Sequence, residues 1–471
     1  MVFSSLTFIC VFLPIVFLLA LVVPGTRAKN LLLAVASLVF YAYGEPVYVL
    51  LMAASTVANW ALGRALGWAR ERGRERAHTA VLVLAVALNL GALGFFKYAG
   101  MLVETLNALT GLSLAEPDVS LPVGISFYTF QALSYVIDVW RGEVAPQRSY
   151  LKVLLYVSFF PQLIAGPIVK YHDIEHQLDE RAITFDGVAI GLRRFCFGLA
   201  KKVLVSNVMG EVADAIFDAS LASVNAAGAW IGAVAYLVQI YFDFSGYSDM
   251  AIGAARMFGF SFKENFRYPY AATTVKEFWR RWHVSLSTWF REYVYIPLGG
   301  NRKGRARTVV NKLVVFFLCG LWHGAAWTFV AWGLVHGLFL LLEEYVPMHR
   351  LPRPLGWLYT MLVATFAFVL FRADSFSQGL ALMWQMVAGW HFEAECVALA
   401  VQQLTPLFLV TLVAAVVAAS PVKVVVERRA LAGAHAGAWD AAGYALALVL
   451  LALCLLELAG GGYNPFIYFR F

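Results

Sequence analysis

Charge is scarce in this chain: of 471 residues only 14% are Asp, Glu, Lys or Arg, while 61% are hydrophobic. A soluble domain of this length could not hide so much apolar surface, which excludes the ordinary globular enzyme. Cysteine is sparse as well. Cys10, Cys196, Cys319, Cys396 and Cys454 are odd in number, form no CxxC pair and lie mostly in apolar segments. A disulfide framework or a structural zinc site is therefore not expected. No phosphate-binding GxxxxGK[ST] run occurs, since Gly299 to Gly304 reads GGNRKG, and no GxSxG elbow is present. Nothing repeats at a solenoid period, no second half mirrors the first, and no long polar stretch interrupts the apolar runs. Residues 1–471 read as a single membrane domain. The net charge of +7 does not signal nucleic acid, because the basic residues cluster in short loops between apolar runs.

What is abundant is membrane-spanning sequence with a 15% aromatic content suited to interfacial belts. Apolar runs predict helices over Leu6 to Val23, Leu31 to Tyr43, Val47 to Leu66, Thr79 to Phe96, Leu151 to Ile164, Gly187 to Ala215 and Ala227 to Phe242. Further runs are Val309 to Leu342, Trp357 to Leu370, Leu404 to Ala419 and Ala441 to Leu456. Leu121 to Tyr135 and Phe160 to Lys170 are short and broken by Gly or Pro, which suits re-entrant segments lining a cavity. The first run has no Lys or Arg before it, and Arg27 and Lys29 follow it, so it reads as a retained span. Placing Arg27 and Lys29, Arg70 to Arg76, Arg302 to Arg307 and Lys423 to Arg429 in the cytoplasm puts the N-terminus outside. The C-terminal Tyr463 to Phe471 is then also outside, provided that the short, mixed Phe376 to Trp390 segment does not span.

Polar groups inside such a chain are the informative ones. Ionisable side chains at membrane depth are costly and usually face a cavity or a partner. His323 lies in the apolar run LWHGAAW, and an imidazole exchanges protons near neutral pH. The plain alternative is a histidine hydrogen-bonded at a helix interface. The segment KEFWRRWHVSLSTWFREYVYIPLGGNRKGR, from Lys276 to Arg305, is the most polar. Read as one helix, it puts Arg280, His283 and Ser287 on a common face. With Arg281 it offers guanidinium forks to a phosphate-bearing donor, or it is an interfacial anchor. Gly333 and Gly337 make a GxxxG spacing for close helix approach, and His336 between them reads as structural. Asp243 and Asp249 flank Gly246 and serve either as hydrogen-bonding groups at a broken helix or as carboxylates that orient a histidine. The HDIEH run from His172 to His176 matches a zinc-protease pattern, but no protease domain surrounds it, so no metal is expected there.

Four blocks together closely resemble the membrane-bound O-acyltransferase family: LPVGISFYTFQALSYVIDVWRGE from Leu121, FFPQLIAGP from Phe159, the Asp243-to-Asp249 segment with RRWHVSLSTWFREYVYIPLGGN, and LWHGAAWTFVAWGLVHG from Leu321. The resemblance is strongest to the bacterial branch serving O-acetylation of alginate, peptidoglycan and cellulose, which the opening MVFSSLTFICVFLP and the ending YNPFIYFRF also resemble. It implies an all-α polytopic bundle of about 10–12 transmembrane helices, with re-entrant segments and a central tunnel. It maps the catalytic histidine onto His323 and a second polar position onto His283. It implies an inner-membrane enzyme that takes an acetyl group from a cytoplasmic donor, acetyl-CoA, with no bound cofactor. The group then goes to an exopolysaccharide through a periplasmic SGNH-type acetyltransferase in a biosynthesis complex. Rival readings are D-alanyl transfer of the teichoic-acid type, a proton-coupled transporter, and a structural scaffold for polysaccharide export.

Overall fold

The computed structural model describes residues 1–431 and 436–467. Among these, every regular element is a helix. Five helices are long and apolar enough to cross a membrane alone: Tyr48–Glu71, Glu75–Thr110, Ala226–Met257, Arg353–Arg372 and Ala436–Ala459. Ala394–Gln402 and Pro406–Ala419 add a sixth if this pair, bent by 61°, counts as one span. Other apolar runs form shorter helices, such as the apolar stretch Thr7–Val22 and the 17-residue Thr26–Ala42. The run Val309 to Leu342 is two 19-residue helices, Arg305–His323 and Trp327–Tyr345. The run Gly187 to Ala215 contains a π-helical stretch at Lys201–Ser206. Phe376–Ala388, treated from sequence as interfacial, is a 13-residue helix. The architecture is that of an all-α polytopic membrane protein. The described residues group into two compact units: 1–195 with 250–263, and 196–249 with 264–471.

In the first unit the helix Ile125–Arg141 is buried at nearly every position up to Val139. A helix buried all round is core, not surface. It starts at Gly124, whose φ of +78° and near contact with the Leu163 carbonyl both require glycine. Tyr48–Glu71 packs on it through Gly63, where a Cβ would stand 2.5 Å from the Tyr135 hydroxyl. Asn59 and Asn89 join two membrane helices by reciprocal amide bonds of 3.1 and 2.8 Å, a polar link between otherwise apolar faces. Phe3, Phe8, Phe40 and Phe160 form an aromatic cluster with centroids 4.6–6.5 Å apart. In the HDIEH run, His172 Nδ1 lies 2.9 Å from Asp138 Oδ2, and Asp173 pairs with Lys263. His172 can share a metal-sized space with Asp138 and Glu143; His176 does not belong to that group.

The second unit takes in residues 226–249 of the helix Ala226–Met257, whose apolar window is 78% buried, against 11% for Ala436–Ala459. The first is therefore core and the second faces outward. Gly246 lets this helix approach its neighbour, since a Cβ there would meet the Gly198 carbonyl at 2.7 Å. The broken helix anticipated between Asp243 and Asp249 is instead continuous: Gly246 provides close packing and leaves the backbone ladder intact. Arg305–His323 and Trp327–Tyr345 form an antiparallel hairpin. A Cβ on Gly333 would lie 2.3 Å from the Phe316 carbonyl, and one on Gly320 would lie 2.4 Å from the Phe329 carbonyl. Backbones this close leave no room for a side chain, as the GxxxG spacing predicts.

Candidate active site

The hairpin fixes His323. It is the last residue of Arg305–His323, and the chain turns back through Gly324 to Ala326. The imidazole is 5% exposed. Rings surround it: Trp322 at 5.0 Å, Trp332 at 5.0 Å and Phe371 at 5.3 Å between centroids. His283 lies 6.2 Å away. His323 lines a narrow cavity of about 10 Å³ with Ile240, Phe244, Trp282, Trp332, Phe368, Phe371 and Ile467, room for about one water. Phe371 and Ile467 also line a second cavity of about 390 Å³, which includes Tyr236, Gln239, Thr328, Arg372 and Asp374. The large cavity thus leads toward His323 across two side chains.

His283 is reached by a different device. The segment from Lys276 is not one helix: Val275–Arg281 ends, His283 takes φ +42° and ψ +54°, and Val284–Phe290 begins. The shared face of Arg280, His283 and Ser287 anticipated from sequence is therefore lost, because the left-handed residue reorients the second helix. Arg280 is exposed and His283 is fully buried. Arg281 pairs with Glu277 at 2.6 Å, and the half-buried Ser287 has its hydroxyl enclosed without a hydrogen-bond partner. A non-glycine residue in the left-handed region costs roughly 1–2 kcal/mol, and such strain persists only where surroundings enforce it.

Asn265 enforces it. Its backbone carbonyl accepts from Val284 N at 2.9 Å, and Arg267 N donates to the Arg281 carbonyl at 2.9 Å, so the preceding loop brackets the break on both sides. Its side-chain oxygen accepts from Ser285 N at 3.2 Å and from Ser285 Oγ at 2.8 Å. Its amide nitrogen donates to Ser248 Oγ at 3.0 Å. The Ser285 backbone N–H can only donate, which orients the amide. His283 Nδ1, 3.1 Å from the same oxygen, therefore carries the hydrogen, and Nε2 keeps its lone pair. That Nε2 is buried with no hydrogen-bond partner.

Asp243 and Asp249, read from sequence as possible partners of a histidine, are engaged elsewhere. Asp243 pairs with Lys202 at 2.8 Å and accepts from Ile467 N at 3.0 Å. Asp249 pairs with Lys201 at 2.6 Å. His336 also packs on Trp332, 5.1 Å from that ring, and lies parallel to Phe278 at 6.0 Å. Sequence reasoning missed Asn265, Ser248, Trp332, Phe371 and Ile467. Asn265 sits in an irregular loop, where no periodicity marks it, and the ring box around His323 reads in sequence as ordinary core.

A buried imidazole with a second one beside it suits proton exchange with a hydroxyl inside an apolar chamber. Comparison with known proteins gives the family. Residues 130–373 match the MBOAT, membrane-bound O-acyltransferase family, and the chain belongs to that family. A probable alginate O-acetylase AlgI of Pseudomonas putida is 39% identical over the full length of both chains. A peptidoglycan O-acetyltransferase of Helicobacter pylori is 35% identical over 82% of this chain and 80% of its own. A teichoic acid D-alanyltransferase of Bacillus subtilis is 27% identical over 54% of this chain and 68% of its own. The protein is a multi-pass membrane O-acyltransferase.

Proposed function

We propose that this enzyme passes an acetyl group from a cytoplasmic thioester, acetyl-CoA, to an extracytoplasmic polysaccharide of the alginate type. The juxtaposition of His323 and His283 in an aromatic chamber next to the 390 Å³ cavity carries the reading. His323 takes the proton of an acceptor hydroxyl as its oxygen attacks the thioester carbonyl, and the thiolate leaves. The bond from His283 Nδ1 to Asn265 makes its Nε2 an acceptor, so His283 suits orientation of a hydroxyl or of the His323 ring. Donation to the carbonyl oxygen would require a second proton on it. Exposed Arg280, with exposed Arg302, Lys303, Arg305 and Arg307, offers a basic face to the donor's phosphates.

In this reading the enzyme sits in the bacterial inner membrane with both termini periplasmic, although Tyr468 to Phe471 lie outside the described residues. A periplasmic acetyltransferase within the exopolysaccharide complex then receives the acetyl group. The test is reconstitution into vesicles with labelled acetyl-CoA on the side of Arg302 to Arg307 and polymer plus partner on the other. Label in the polymer is the expected result, with Arg280→Ala raising the KM for donor. Transfer from a D-alanyl carrier protein instead would overturn the acetyl assignment. Proton flux with no acyl transfer would point to a transporter.

A further inference from the structure

Residues 462–467 are tied down at several points. Residues 462–466 form no regular element and lie within the second unit. Tyr463 donates its hydroxyl to Asp214, and Asn207 donates to Asn464 at 3.3 Å. Lys202 donates to the Pro465 carbonyl, Phe466 packs on Tyr247 at 4.9 Å, and Asp243 accepts from Ile467 N at 3.0 Å. Pro465, Phe466 and Ile467 line the large cavity, and Ile467 also lines the small one with His323.

The Lys202–Asp243 pair is 4% and 1% exposed. Burying two charges is costly, and apolar residues of similar size usually pack as well or better. Here each charge does a second job. The ammonium binds the carbonyl before Phe466, and the carboxylate binds the N–H after it. The pair therefore grips the backbone on both sides of one residue, and it grips it at a proline, which has a carbonyl to offer but no N–H. Lys202 sits in the π-helical turn Lys201–Ser206, a local insertion of the kind that re-aims side chains at functional places. Its neighbour Lys201 pairs with Asp249 further along the same long helix and is more exposed.

We infer that Lys202 and Asp243 form a latch that holds Pro465–Ile467 as a plug between the large cavity and His323. They are positioning residues: they act through the chain end. The plug governs how an acceptor reaches His323, and this consequence rests on the acyl-transfer reading given above; the latch itself does not.

The experiment uses the full chain in lipid nanodiscs carrying Ile467→Cys, with a membrane-impermeant maleimide and mass spectrometry at that residue. With the latch intact, labelling is slow. Lys202→Met with Asp243→Met removes both charges together, so no lone buried charge is left to unfold the protein, and the site labels roughly tenfold faster. The exchange Lys202→Asp with Asp243→Lys keeps opposite charges but offers the backbone the wrong groups, so it also labels fast. Lys201→Met leaves labelling slow. Unchanged protection in the double methionine variant overturns the latch. Full protection in the exchanged pair also overturns it, since a plain ion pair would then suffice. Acyl transfer, measured alongside, shows a changed KM for acceptor in the fast-labelling variants. Fast labelling in a protein with no acyl transfer at all would keep the latch and remove the functional reading.

Discussion

His323 and His336 stand on the two arms of one hairpin, each against Trp332, and both are buried. One lines a cavity and has His283 beside it at 6.2 Å. The other is boxed by Phe278, Trp279 and Trp332 and lines neither cavity described above. Depth in the apolar interior, with both ring nitrogens enclosed, is common to both. What separates them is a bordering cavity and a second imidazole.

The sharpest way to break this contrast is His323→Ala. Loss of a general base costs on the order of 10²–10⁴ in rate, so acyl transfer should fall by at least that, with the protein still present at normal levels in membranes. Near-normal transfer would remove His323 from the mechanism. Next in size is Asn265→Ala, which removes the acceptor 3.1 Å from His283 Nδ1 and leaves the Ser285 hydroxyl at 3.4 Å. We expect the lost orientation to raise the barrier by about 1–3 kcal/mol, a fall in kcat of roughly ten- to a hundredfold, with the KM for donor little changed. An unchanged kcat would show that the orientation of His283 is immaterial.

His336→Phe probes the other side of the comparison. It replaces enclosed nitrogens by carbon in a ring-shaped space, a kind of change that is often nearly neutral. Activity should stay within about twofold and the melting temperature should not fall. A large loss of activity would place His336 in the chemistry and erase the distinction from His323.

The smallest effect concerns His172, an imidazole bonded directly to a carboxylate and remote from the hairpin in sequence. Its hydrogen bond to Asp138 raises its pKa above the ordinary 6.5, against the lowering effect of burial. A group raised in the folded state adds stability that is fully present below 6.5 and disappears as pH climbs through the folded value. The melting temperature should therefore decline over that alkaline interval, and His172→Gln should flatten the decline. A profile identical to that of the unaltered protein would mean that the pair carries no linkage.

The sequence reveals much of this, and unevenly. The hairpin glycines are legible because glycines at helical spacing in an apolar run have few uses besides close packing. His323 is legible because an ionisable group stands out against such a run. The membrane class is legible from composition. His283 is legible as a position but not as a conformation: periodicity extends the Lys276 helix straight through it, and only the bracket from Asn265 shows why the helix stops. Asp243 and Asp249 look alike in sequence. The first meets a chain end more than two hundred residues away, a pairing that no local pattern can encode. The hairpin turn is obscured for a related reason, since the break at Gly324 divides an apolar run without changing its hydropathy.

The left-handed backbone at His283 has an evolutionary consequence. Glycine or asparagine would relieve roughly 1–2 kcal/mol of strain there. Either would also leave part of the space between Phe244, Phe266 and Trp322 unfilled, and emptying a buried ring site costs about 3–5 kcal/mol. Drift at position 283 toward residues that tolerate the left-handed backbone is therefore opposed by packing alone, whatever the imidazole adds to turnover.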